Sequence, residues 1–223
     1  KKDNKAYLKV NKFKKIKILK PKYGKKKIVL EGGSIDVDGN GLLLTTAQCL
    51  LSKVQQRNKG FNRHDYSQIF SKFFGIRKVI WLNKGIYGDD THGHIDDIAR
   101  FVGKNKIFLA IEKNKKDKNF KNLKENSDII KKFKKENGKK LQIIYLPMPN
   151  PRFIDGIRVP ASYLNFYIAN KIVLVPIFND PKDKVILKIF KKHFKNRKVI
   201  LIDSSILVWG FGTIHCMTQQ EPN

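Results

Sequence analysis

The sequence predicts a mixed α/β fold built from repeated strand–strand–helix–strand units packed around an axis. Three observations lead there. Short runs rich in Val, Ile and Leu recur along the 223 residues, each of strand rather than helix length. A longer stretch of helical character separates the second run of each round from the third. Short polar phrases holding Glu, His, Asp, Asn or Cys open each round. Units of this size cannot bury their faces alone and pack against one another about a common axis.

The first round runs from "KKKIVLEGGSIDVDG" through "GLLLTT", a helix near "HDYSQIFSKFFG", and "RKVIWL". The second opens at "GHIDDIARFVGKNKIFLAI", continues through a Lys/Asn-rich helix around residues 118–137 and closes with "LQIIYLPM". The third begins at "SYLNFYIANKIVLVPIF", passes through "DKVILKIFKKHF" and ends in "RKVILID". The final "GFGTIHCMTQQ" reads as the opening strand of a further round. Paired strands turn at "DVDGNG", "FVGKNK" and "IANK". The first of these resembles a calcium loop but lacks the acidic residue at its twelfth position, so it reads as a hairpin turn.

Composition narrows the class. Hydrophobic residues make up 41% of the chain, with 15 Phe, enough for a real core. No run approaches the roughly 20 apolar residues of a membrane span, and "KKDNKAYLKVNKFKKIK" lacks the apolar centre of a secretory signal. These features predict a soluble cytoplasmic protein. Two cysteines, Cys49 and Cys216, argue against a disulfide scaffold, and neither has a second Cys at zinc-like spacing. The net charge of +28 raises a nucleic-acid-binding reading. Against it, the lysines are spread along the chain, runs such as "KKFKKENGKK" fit solvated helix faces, and no zinc-finger, KH or RRM signature is present.

The polar phrases carry the chemistry. Cys216 follows a Gly-x-Gly turn and precedes "TQQ", a poor environment for a buried cysteine. Glycines such as Gly212 let a backbone approach a ligand closely, and a thiolate is a strong nucleophile once its pKa is lowered. "DDTHGHIDD" is the densest polar cluster. On a strand, His92 and His94 would face one way and could share a metal, but no third His or Cys ligand is evident, so no metal is expected. The other reading makes His94 an acid/base group and Asp96 a cation-binding carboxylate, which suits a planar guanidinium. Glu31, at the end of an apolar strand before two glycines, is a candidate to orient His94 or to meet a substrate nitrogen. Asn165 opens the third round at the equivalent place. Cys49, between "LLTTAQ" and "LLSKV", reads as a structural cysteine at a helix start.

Four phrases in order, "VLEGGSIDVDGNGLLLTTAQCLL", "KVIWLNKGIYGDDTHGHIDDIARFV", "PASYLNFYIANKIVLVPIFNDP" and "GFGTIHCMTQQEP", resemble the agmatine deiminase family and the related bacterial peptidyl-arginine deiminases of the guanidine-modifying, or pentein, superfamily. The resemblance covers residues 27–223 as a catalytic domain and leaves 1–26 as a basic segment with little family signal. It implies an α/β propeller of ββαβ repeats around a central pocket and hydrolysis of agmatine to N-carbamoylputrescine and ammonia, with peptidyl-arginine or arginine as alternative substrates. It implies Cys216 as nucleophile, His94 as acid/base, Asp96 as the guanidinium holder and Glu31 as the partner of His94. Asn165 and Gly212 are carried over as substrate-binding positions. No cofactor is implied. Relatives also carry an N-terminal "RDTGP"-type motif that grips the guanidinium, and this sequence lacks it. The expectation is therefore a propeller without its N-terminal part, weakly active or inactive alone, with a homo-oligomer or the missing N-terminal segment as its partner.

Overall fold

The computed structural model describes residues 5–15 and 18–221. Parts of the basic segment 1–26, namely residues 1–4 and 16–17, lie outside the described residues. Its remainder forms helix α1 (Ala6–Lys14) and strand β1 (Lys22–Tyr23), which pairs antiparallel with β2 (Lys26–Lys27).

Three ββαβ units follow. In the first, β3 (Asp36–Val37) and β4 (Leu42–Thr46) meet at the expected hairpin turn, where the Asp38 carboxylate accepts the N–H groups of Asn40 and Leu42. A short helix α2 (Ala47–Leu51) precedes α3 (Arg63–Phe74), and β5 (Lys78–Leu82) completes the sheet parallel to β4. Helix α3 starts where the sequence says it should: Asn62 and Asp65 form a reciprocal capping box, and Gly75 ends the helix in the left-handed conformation.

The second unit is β6 (Ala99–Phe101), β7 (Lys106–Ile111), α4 (Phe120–Lys132) and β8 (Gln142–Pro147). A hairpin of β9 (Arg152–Ile154) and β10 (Ile157–Val159) leads on from it; its two turn residues, Asp155 and Gly156, both take positive φ, as a tight type I′ turn requires. The third unit is β11 (Tyr167–Ile168), β12 (Ile172–Ile177), α5 (Asp183–His193) and β13 (Lys198–Asp203). Every unit repeats one topology, with the first strand antiparallel to a central strand and the third parallel to it. The parallel pair needs a crossover, and the helix supplies it.

The central strands are buried on both faces, which explains why β4, β7 and β12 read as almost unbroken apolar runs. One core fills the first unit around Leu43, Tyr66, Ile69 and Phe70; a larger one joins the rest. Phe108 of β7 meets Phe190 of α5 edge-on at 5.1 Å, and Phe166 meets Phe190 at 5.0 Å, so aromatic packing fastens the second unit to the third. A buried cation joins all three: Arg100 donates to Asp36 at 2.8 Å and to the Phe166 carbonyl at 3.0 Å.

Three local expectations are corrected. Glu31 does not end a strand: it sits in extended backbone before a single 3-10 turn, Gly32–Ser34. "HIDD" is a 3-10 turn, Ile95–Asp97, rather than a strand. "GFGTIHCMTQQ" opens no further strand: its Phe211 takes a positive φ, and His215–Met217 form another 3-10 turn. In each place short backbone bonds within or beside the turn, together with side chains, satisfy the backbone in place of a neighbouring strand.

Candidate active site

Those turns converge on one cleft of about 380 Å³, lined by Glu31, Gly33, His94, Asp96, Gly212 and Cys216 among others. The loop before His94 is held by Asp89, whose carboxylate accepts the N–H groups of Gly93 and His94 at 2.7 and 3.1 Å. The Thr46 hydroxyl, which caps α2, also donates to the Gly93 carbonyl at 2.6 Å. His94 and the start of α2 are thus fixed to each other.

His94 and Glu31 form an ion pair, Nε2 to Oε2, at 2.8 Å. Arg57 holds the same carboxylate, Nε to Oε1 at 3.2 Å and an Nη to Oε2 at 2.9 Å, and also donates to the Thr91 carbonyl. Burial works against charge on His94. The hydrogen bonds of Cys49 and Glu31 and the nearby charge of Asp96 outweigh it and hold the imidazole up to about 10. Burial likewise opposes ionisation of Glu31, but His94 and Arg57 keep its carboxyl below the usual range.

Asp96 is fully buried. Its Oδ2 accepts from Nδ1 of His215 at 2.7 Å and from Asn165 at 3.1 Å. Among the described residues its Oδ1 has no hydrogen-bond partner. Burial raises the cost of its charge, yet His215 holds its carboxyl down; the adjacent Asp97 is pushed well up by burial and by Asp96. Cys216 opens onto the cleft, its Sγ 3.0 Å from the Asn165 amide and 3.6 Å from Asp96 Oδ2. Burial of the thiol and the carboxylates of Asp97 and Asp96 push its pKa up, far above that of a free cysteine.

The glycines are steric necessities. A Cβ on Gly33 would sit 2.5 Å from His94 Nδ1 and 2.8 Å from Asp96 Oδ2. One on Gly212 would lie 2.7 Å from Cys216 Cβ.

Of the residues singled out from sequence, Glu31, His94, Asp96, Gly212 and Cys216 line the cleft together. Asn165 does not: it is fully buried, donating to Asp96, Asp97 and Cys216 while its Oδ1 accepts from Thr213, His215 and the Cys216 N–H. It organises the wall instead of lining it. His92 and His94 do not share a face, because His92 takes a positive φ and turns its ring to the Asp90 carbonyl. Sequence reasoning missed Asp97, Arg57 and the role of His215, although "IHC" places His215 beside the cysteine. Cys49 is buried at a helix start as expected, but it also lies against the site: Glu31, Cys49 and His94 each offer a ligand atom within 4.8 Å of the others.

The profile of the Porphyromonas-type peptidyl-arginine deiminases matches residues 1–222. The chain belongs to that family. The match takes in the basic N-terminal segment as well as the three units. A Legionella pneumophila (strain Paris) protein provisionally named agmatine deiminase is 36% identical over 208 residues, 93% of this chain and 60% of its own length. Agmatine deiminase of Medicago truncatula is 36% identical over 87% of this chain and 57% of its own. Among solved structures, a cysteine-to-serine variant of C. jejuni agmatine deiminase with substrate bound superposes with a TM-score of 0.86 at 32% identity, over 97% of this chain and 62% of that one. The fold is the pentein fold, and the chain spans about 60% of the length of the relatives it matches. Among the described residues no helix is long and apolar enough to cross a membrane.

Proposed function

We propose that this chain carries the catalytic half of an agmatine deiminase, a hydrolase that cleaves a C–N bond of a guanidine through a covalent cysteine intermediate. One observation supports it above the rest: Glu31, His94, Asp96 and Cys216 line one cleft, with an unpartnered carboxylate oxygen of Asp96 in its wall. A buried acceptor without a partner is costly, and a guanidinium N–H is the group that would satisfy it.

The chemistry follows from the electrostatics. The thiol rests protonated among carboxylates. A bound guanidinium offsets their charge, favours the thiolate and lets the thiol proton leave to solvent. Sγ then attacks the guanidinium carbon. His94, protonated at neutral pH, gives its proton to one nitrogen; the C–N bond breaks and ammonia departs, leaving an amidino-thioether. The neutral His94 takes a proton from water, whose oxygen attacks the same carbon. Collapse breaks the C–S bond, passes the hydroxyl proton to the departing sulfur and releases the ureido product, N-carbamoylputrescine from agmatine. Glu31 and Arg57 keep His94 in place through both steps. This reading carries with it a cytoplasmic enzyme of polyamine synthesis.

The family description favours a second reading in which the guanidine is that of peptidyl-arginine or arginine. Comparing turnover of agmatine, arginine and an arginine-containing peptide decides between them. The test of the mechanism is mass mapping after treatment with a haloacetamidine, which mimics the planar cation. A single adduct on Cys216, with Cys49 untouched and agmatine protecting, is the expected result; equal labelling of both cysteines would overturn it. In a complete enzyme, Cys216→Ala should abolish turnover.

A further inference from the structure

Cys49 takes no part in the proposed reaction, yet it is fully buried directly against the acid/base group. We infer that Glu31, Cys49 and His94 form a binding site for a borderline-soft divalent cation of the zinc class, and that the cation switches the cleft off.

Donor type comes first. A thiol sulfur, an imidazole nitrogen and a carboxylate oxygen make the mixed S/N/O set that zinc accepts and that magnesium and calcium do not. Spacing comes second. With metal–ligand distances of about 2.0–2.3 Å in a tetrahedron, neighbouring donors lie roughly 3–4 Å apart. The three ligand atoms here all lie within 4.8 Å of one another, and Glu31 Oε2 is already 2.8 Å from His94 Nε2. Small rotations of Glu31 and Cys49 close the remainder. The site is also built rather than accidental: the Thr46 hydroxyl accepts the Cys49 N–H and donates to the Gly93 carbonyl, fixing the sulfur against the histidine loop. Arg57 keeps its Nε contact with Glu31 Oε1, while its Nη gives up Oε2 to the ion.

Access and protons balance. Glu31 and His94 line the cleft, so an ion enters from there and completes its shell with a cleft water. The Cys49 thiol and the His94 imidazolium each lose a proton to solvent as the metal binds. On Nε2 the ion takes the place of the proton between His94 and Glu31. His94 can then neither donate to a leaving nitrogen nor accept from water. The inhibitory consequence rests on the function proposed above; the binding does not.

The experiment is a cobalt(II) titration of the 223-residue chain, followed by zinc displacement. Cobalt bound to a thiolate shows a near-ultraviolet charge-transfer band. We expect one band, saturating at one equivalent, removed by zinc, retained in Cys216→Ser and absent in Cys49→Ala. Circular dichroism checks that Cys49→Ala is folded. If it is not, Glu31→Gln and His94→Gln decide: each should weaken cobalt binding about tenfold or more, since even outer-shell changes cost 10–100-fold. No thiolate band at saturating cobalt, unchanged affinity in both variants, or a band that depends on Cys216 instead would overturn the site. A complete enzyme that binds cobalt through Cys49 but hydrolyses no guanidine even after chelation would count against the functional reading alone.

Discussion

Asn165 holds Cys216 at both ends: its amide Nδ2 lies 3.0 Å from the sulfur, and its Oδ1 accepts the cysteine N–H at 3.2 Å. The same Oδ1 accepts from the Thr213 hydroxyl and the His215 N–H. Asn165→Leu keeps the volume and strips these partners, leaving buried donors unsatisfied at a cost of ~3 kcal/mol. The urea midpoint should fall accordingly, and the selectivity of haloacetamidine for Cys216 over Cys49 should be lost. An unchanged midpoint would mean that the network contributes nothing to stability.

The His94–Glu31 pair fixes a pH dependence. Folding raises the imidazole from 6.5 to about 10. A raised value means that the pair's stabilisation is complete below about pH 6.5 and declines as pH rises, disappearing above about 10. Urea denaturation between pH 6 and 10.5 should show that alkaline decline, and Glu31→Gln should flatten it. An alkaline limb equally steep in the variant would assign the titration to another group.

Gly33→Ala tests the packing behind His94 and Asp96. The added methyl would lie 2.5 Å from Nδ1 and 2.8 Å from Oδ2, so one of these side chains must move. Overpacking of this kind costs about 1–3 kcal/mol. Cleft chemistry should suffer more than stability: in a complete enzyme kcat/KM should drop about a hundredfold, in line with the sensitivity of catalysis to ångström misplacement. Near-normal kcat/KM would show that the wall is softer than its contacts imply.

Arg100 and Asp36 make the ion pair that ties the first unit to the second at 2.8 Å, with the guanidinium almost fully buried. Arg100→Met strands the carboxylate and should cost about 3–5 kcal/mol. Adding Asp36→Leu should recover part of that loss, which thermal unfolding of the two variants would reveal. An additive double variant would indicate that the two groups are not coupled.

The repeat was legible because its signal is local. Central strands buried on both faces read as apolar runs, and α3 carries both its caps in sequence. Glu31, His94, Asp96 and Cys216 stood out as polar residues beside glycines. What was not legible depends on contacts across units. Cys49 looks like core because its neighbours Leu50 and Leu51 are apolar, and nothing in "TTAQCLL" tells that the start of α2 abuts the His94 loop. Arg57 lies in a polar stretch indistinguishable from a solvated loop until Glu31 is placed beside it. The C-terminal phrase misled for a different reason. "GFGTIHCMT" has strand-like apolar residues, but Asn165 already accepts its N–H groups, so no strand partner is needed.

The spacing of the site along the chain has a consequence for how it comes to exist. Glu31 and His94 are 63 residues apart, Asn165 and Cys216 are 51 apart, and Asp96 and His215 are 119 apart, whereas each sheet closes within its own unit. Local closures come early and remote ones late, because only the late ones carry the full loop entropy. The turn holding His215 and Cys216 sits at the far end of this order. A molecule with all three sheets formed and that turn undocked would give a native far-ultraviolet spectrum while its sulfur stood apart from Asp96 and Asn165. On that order, thiol reactivity rather than secondary structure is the readout expected to time the last docking step.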